Sequence, residues 1–132
     1  MTKLPQIKLL INLARIDGDV AEKERNYIYT IGEANGIVKD VITSLFDKDH
    51  ESIIPVYLNE EEKFDYIFSL VQLMKIDERL YKNEIQYCAK IISKLGYTQE
   101  AFFEMMLHIN ASSSPTSAES KALKELVAKY LS

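Results

Sequence analysis

The sequence predicts an all-α domain of about seven helices around one core. Apolar residues recur at three- and four-residue steps almost everywhere, which is the period of a helix face. Only four Gly and three Pro occur in 132 residues, too few for the many tight turns of an all-β fold. The chain also matches itself after a shift of 60 residues, and the matching unit is helical throughout.

The first helix is expected from Leu4 to Ile16. Leu4, Ile7, Leu10, Ile11 and Ala14 share one face, and Leu9, Leu13 and Ile16 widen it, so this helix should be central. A second spans about Ala21 to Asn35 with Tyr27, Ile28 and Ile31 inward, and Gly36 is its C-terminal cap. A short third covers Val38 to Phe46. Asp47 to Tyr57 is irregular, because Pro55 lacks a backbone donor.

Asn59 followed by Glu62 reads as a capping box that starts a fourth helix running to Ile76. Phe64, Ile67, Phe68, Val71 and Met74 are its buried set. A fifth spans Tyr81 to Leu95, with Ile85, Cys88, Ile92 and Leu95 on one stripe and Gly96 closing it. Thr98 caps a sixth that carries Phe102, Met105, Met106 and Ile109. After the polar stretch 110–116, Thr116 and Glu119 form a second capping-box pattern before a last helix, about 117–131, with Leu123, Leu126, Val127 and Tyr130 inward.

Composition narrows the function classes. The length suits one domain over residues 1–132. Sixteen basic against twenty acidic residues give −4, so the basic footprint that neutralises phosphates is missing and nucleic acid is not the expected partner. Nor does this charge favour anionic membrane surfaces. No apolar run approaches the roughly 18 residues of a membrane span, and Lys8, Asn12 and Arg15 interrupt the first apolar stretch. A single cysteine allows no intramolecular disulfide. The expected location is the cytoplasm.

The internal match carries the functional signal. Ile7 pairs with Ile67, Leu10 with Leu70, Leu13 with Leu73, Ile16 with Ile76, Asp17 with Asp77, Glu24 with Glu84, Tyr27 with Tyr87, Ile31 with Ile91 and Gly36 with Gly96. These are nine identities in 33 positions, against roughly two by chance at ordinary composition. The unit is helix, acidic turn, helix, Gly, helix. Repeat one covers about 4–46 and repeat two about 59–109, with the first helix of each central.

Chemistry is expected at the acidic turns. Asp17, Asp19 and Glu24 stand in the first, Asp77 and Glu84 in the second, where Glu78 replaces Gly18 and Arg79 replaces Asp19. Carboxylates gathered across a turn suit hard cations such as Ca²⁺, Mg²⁺ or Mn²⁺. The first turn should be the better site, since Arg79 opposes a cation in the second. An EF-hand is excluded by spacing: counted from Asp17, Gly18 is second rather than sixth and Glu24 eighth rather than twelfth. The structural alternative is that Asp17 and Asp77 accept from turn amides, while Glu24 and Glu84 favour helix N-termini.

The run Leu13-Ala14-Arg15-Ile16-Asp17-Gly18-Asp19-Val20, followed by Glu24 and closed by Gly36, resembles the signature of tellurite-resistance TerB-like domains. The resemblance covers about residues 4–110. It implies a small all-helical domain with a duplicated unit, metal chelation by Asp17, Asp19, Glu24, Asp77 and Glu84, and a role in tellurite or metal stress. Related domains precede a J-domain in a membrane-anchored co-chaperone, but this chain has no His-Pro-Asp tripeptide.

Other residues favour structural roles. Tyr27 and Tyr87 are expected to be core tyrosines with the hydroxyl at the edge. Cys88 lies on an apolar stripe without the activated thiolate a nucleophile needs. His50 and His108 lack a second ligand at helical spacing. No Gly-rich phosphate loop, Gly-x-Ser-x-Gly elbow or Cys-x-x-Cys pair occurs. The expectation is a non-catalytic domain. Its partner should be another protein, and the apolar stretch Phe102–Leu107 is either core or a groove for that partner.

Overall fold

The computed structural model describes residues 3–16, 18, 20–51, 53–55, 57–76, 82–110 and 117–128. Seven α-helices follow in order: α1 (Lys3–Ala14), α2 (Glu22–Ala34), α3 (Lys39–Phe46), α4 (Glu60–Met74), α5 (Lys82–Lys94), α6 (Gln99–His108) and α7 (Ala118–Ala128). No strand occurs among the described residues. The helices expected from periodicity are therefore present, with ends within a few residues of their expected positions.

The centre is built from α1 and α4. Ten of the fifteen residues of α4 and seven of the twelve of α1 are buried, against three of thirteen in α2. That is the burial the widened apolar faces predict. Around this pair, α1 packs on α2, α3 and α5, and α4 packs on α5 and α6. The helix α7 packs on α6, inserting Leu123 and Val127 into the core. Tyr130 lies outside the described residues.

Local chemistry explains the helix ends. The Asn59 side chain accepts from the Glu62 amide at 2.8 Å, and the Glu62 carboxylate accepts from the Asn59 amide at 3.1 Å, the reciprocal box its sequence predicts. Thr98 Oγ1 accepts from the Ala101 amide at 3.4 Å. The Ser120 amide donates to Ser117 Oγ at 3.1 Å, and Thr116, the expected cap of α7, lies outside the described residues. Helix α1 gives way to a tighter last turn, in which Ile16 donates to Leu13 rather than to a carbonyl four residues back.

Several bonds recur after a shift of 60 residues. Gly36 and Gly96 adopt positive φ, 83° and 96°. The Ile37 amide then returns to Gly32 O at 3.0 Å, and the Tyr97 amide to Ile92 O at 3.2 Å, the six-to-one bond of a left-handed helix cap. Asn12 Nδ2 donates to His50 O and Gln72 Nε2 to Asn110 O, each at 3.0 Å. The two hydrogen bonds clamp the chain beyond α3 and beyond α6 onto a central helix. Arg15 and Lys75 reinforce them by donating to Lys48 O and Met106 O.

Candidate functional site

The acidic turns are the first candidate. Asp17, Asp19 and Asp77 lie outside the described residues. Glu24 and Glu84 are in the first turns of α2 and α5, and both are buried, 5% and 4% exposed. Glu24 Oε1 accepts from the Ala21 amide at 3.2 Å. Alanine at that position has no side-chain acceptor of its own, so the Glu24 carboxylate satisfies a helix-terminal donor from inside the helix. Among the described residues no group of three or more His, Cys, Asp or Glu side chains is arranged to hold a metal ion.

The remaining single candidates are integrated into the fold. Burial, and secondarily the Glu84 carboxylate, pushes the Cys88 thiol well above its ordinary range. Its Sγ faces Leu70 O at 4.0 Å. The Tyr27 hydroxyl is likewise pushed up by burial and donates to Gln72 Oε1 at 2.8 Å. The Tyr87 hydroxyl lies 3.5 Å from Leu9 O. His50 Nε2 bonds Leu45 O at 2.8 Å, anchoring the loop after α3. His108 meets Glu104 at 3.5 Å on the exposed side of α6. The Phe102–Leu107 stretch divides: Phe102 and Met105 are core, while Phe103 and Leu107 are 59% and 75% exposed.

A second candidate was not visible in the sequence. A cavity of about 740 Å³ opens where α4 faces α2, α7 and the start of α1. Its volume falls within the range typical of small-molecule sites. The aromatic part comes from Phe64 and Phe68 of α4 and Tyr27 of α2, with Ile31 beside them. Polar groups sit among these: Gln6 from α1, and Asp65, Ser69 and Gln72 from α4. Lys124 of α7 pairs with Glu61 of α4 at 3.2 Å on the same opening.

The polar groups form a chain of bonds. Gln6 Nε2 donates to Ser69 Oγ at 3.0 Å and to Asp65 O at 3.3 Å, and Ser69 Oγ donates on to Tyr66 O at 2.9 Å. Gln6 is 4% exposed, and its Oε1 is buried with no hydrogen-bond partner. An unmade bond of this kind costs more than a neutral pair returns. Burial raises the pKa of the half-buried Asp65 carboxyl, against a smaller lowering by Lys3 and Lys124. The trace of this site in the sequence was three polar residues, Gln6, Ser69 and Gln72, among the mostly apolar buried positions of the two central helices.

Comparison of the chain with family models, with curated proteins and with solved structures returns no match. No helix among the described residues is long and apolar enough to cross a membrane.

Proposed function

We propose that this chain is a non-catalytic binding module of TerB-like type, built on a duplicated helical unit, whose working surface is the cavity beside α4. The observation that carries this reading is the cavity itself: an aromatic lining of Phe64, Phe68 and Tyr27 interrupted by the polar groups of Gln6, Asp65, Ser69 and Gln72. Such a mixture of apolar wall and few convergent polar groups is what a binding site requires. The hydrogen bonds that recur at a 60-residue shift support the duplication. On this reading the acidic turns serve the fold, as the inward carboxylate of Glu24 supports.

The direct test is to titrate a mixture of small fragments into the ¹⁵N-labelled chain and map amide shifts. Shifts concentrated on residues 27–35, 61–72 and 121–125 support the cavity reading. Scattered or absent shifts count against it.

A second reading is a protein-contact scaffold, favoured by the exposed apolar pair Phe103 and Leu107, one turn apart on α6. Shifts confined to α6 on adding a partner protein would favour it. The resemblance to TerB-like domains would place either activity in a cytoplasmic response to tellurite or metal stress. Cation binding through Asp17, Asp19, Glu24, Asp77 and Glu84 is tested separately, by the effect of Ca²⁺, Mg²⁺ or Mn²⁺ on the melting temperature.

A further inference from the structure

The hydrogen-bond capacity around the cavity is lopsided. Both amide hydrogens of Gln6 are spent, on Ser69 Oγ and Asp65 O. The single hydrogen of Ser69 goes to Tyr66 O, and that of Tyr27 goes to Gln72 Oε1. None of these three residues has a hydrogen left to offer a ligand. Acceptors remain. Gln6 Oε1 has no partner, and among the described residues no ammonium reaches ion-pair distance of Asp65. Gln6 and Asp65 both line the cavity, and because Gln6 Oε1 is fully buried, the half-buried Asp65 carboxylate is the acceptor of the two that a ligand can reach.

Charge points the same way. The lining holds Lys3, Lys121 and Lys124 against Glu60, Glu61, Asp65 and Glu125, three positive against four negative groups. Lys124 is already engaged by Glu61, Lys121 is exposed, and the half-buried Lys3 lowers the Asp65 pKa from beyond ion-pair distance. Asp65 is the only half-buried acid among the four, the other three being exposed. A carboxylate held partly out of water beside aromatic rings gains most from a cation that brings its own N–H donors.

Resting on the cavity reading above, we infer that the site takes a small organic cation: an ammonium or amidinium head donating to Asp65, with an apolar body lying along Phe64 and Phe68. An anion would meet no free donor among Gln6, Ser69 and Tyr27. A purely apolar ligand would leave the half-buried Asp65 carboxylate without a partner.

The probes are benzamidine, benzyl alcohol and benzoate, which share one ring and differ in head charge. Each is titrated through the millimolar range into the ¹⁵N-labelled chain. Benzamidine should saturate shifts at Tyr27, Phe64, Asp65, Phe68 and Ser69, at least about tenfold tighter than benzyl alcohol, since charge-assisted bonds are roughly twice as strong as neutral ones. Benzoate should leave those amides unmoved. Asp65→Asn keeps shape and removes the charge, and should weaken benzamidine by about tenfold or more while the rest of the spectrum is retained. Equal or tighter binding of benzoate or benzyl alcohol, or an Asp65→Asn variant with unaltered affinity for benzamidine, would overturn the inference and leave the cavity reading standing. If benzamidine is silent while other fragments shift the same amides, the inference also falls alone. Silence from every fragment overturns both.

Discussion

The two halves of the molecule, α1–α3 and α4–α6, have several helix-end and clamping bonds in common and differ in the side chains around them. Each ends its second helix with a left-handed Gly, at Gly36 and Gly96, and each clamps the outgoing chain with a side-chain amide, Asn12 or Gln72. The fillings diverge at equivalent positions. Gly32 in α2 lies against Ile42 of α3, and a Cβ there would sit 2.5 Å from Ile42 Cδ1. Sixty residues on, Ile92 and Phe102 are the corresponding pair, both buried. The first half places a Gly and an Ile at these two positions, and the second an Ile and a Phe. The Gln72 clamp also accepts the Tyr27 hydroxyl beside the cavity. The cap and clamp bonds recur in both halves, while the side chains beside them differ in volume and polarity.

Matched truncations test that comparison with the largest expected effect. Leu10 and Leu70 are 0% and 1% exposed on the central helices. Leu10→Ala and Leu70→Ala should each cost about 2–5 kcal/mol in chemical denaturation. Costs that differ by more than the whole of that range would break the equivalence of α1 and α4. Next comes Gly32→Ile, which transplants the residue of the second half into the first. Ile42 has no room for it, and overpacking should cost about 1–3 kcal/mol in the same measurement. A stabilised variant would show that α3 is free to shift.

A smaller effect is expected at the acidic turn. Glu24→Ala removes the acceptor for the Ala21 amide and should cost about 1 kcal/mol, as lost caps do, with or without divalent cation present. A saturable rise of the wild-type melting temperature with Ca²⁺, Mg²⁺ or Mn²⁺, lost in an Asp17→Asn, Glu24→Gln double variant, would instead restore the cation reading.

The smallest effect concerns pH. The folded Asp65 carboxyl has a raised pKa, so its charge opposes folding at neutral pH, and that penalty is relieved as pH falls through the folded value. Asp65→Asn should therefore raise the melting temperature slightly at pH 7, and the gain should shrink toward acid. A gain constant with pH would mean that Asp65 is not the group responsible.

Most of the fold was legible because its determinants are local. The periodic apolar residues of α1 and α4, the Asn59–Glu62 box, Thr98 and the two capping Gly residues each act within a turn or two of sequence. Thr116, the expected cap of α7, lies outside the described residues, and at that helix end Ser117 accepts from the Ser120 amide. The cavity was not legible, since it needs Gln6, Tyr27, Ser69 and Lys124 from four helices at once. Polar residues on a central helix were the available trace. Asp17, Asp19 and Asp77 fall outside the described residues, so the acidic turns rest on Glu24 and Glu84 alone.

Cys88 gives the molecule a built-in clock. It is the chain's one cysteine, it is 0% exposed, and burial beside Glu84 holds its thiol in the unreactive protonated form. A thiol-specific reagent in solution therefore has nothing to modify until α5 separates from α4. The rate of labelling, followed under native conditions, reads how often that separation occurs, without denaturant and without any engineered probe. Local opening of α5 and global unfolding are told apart by their different responses to a trace of urea, because global unfolding exposes far more surface.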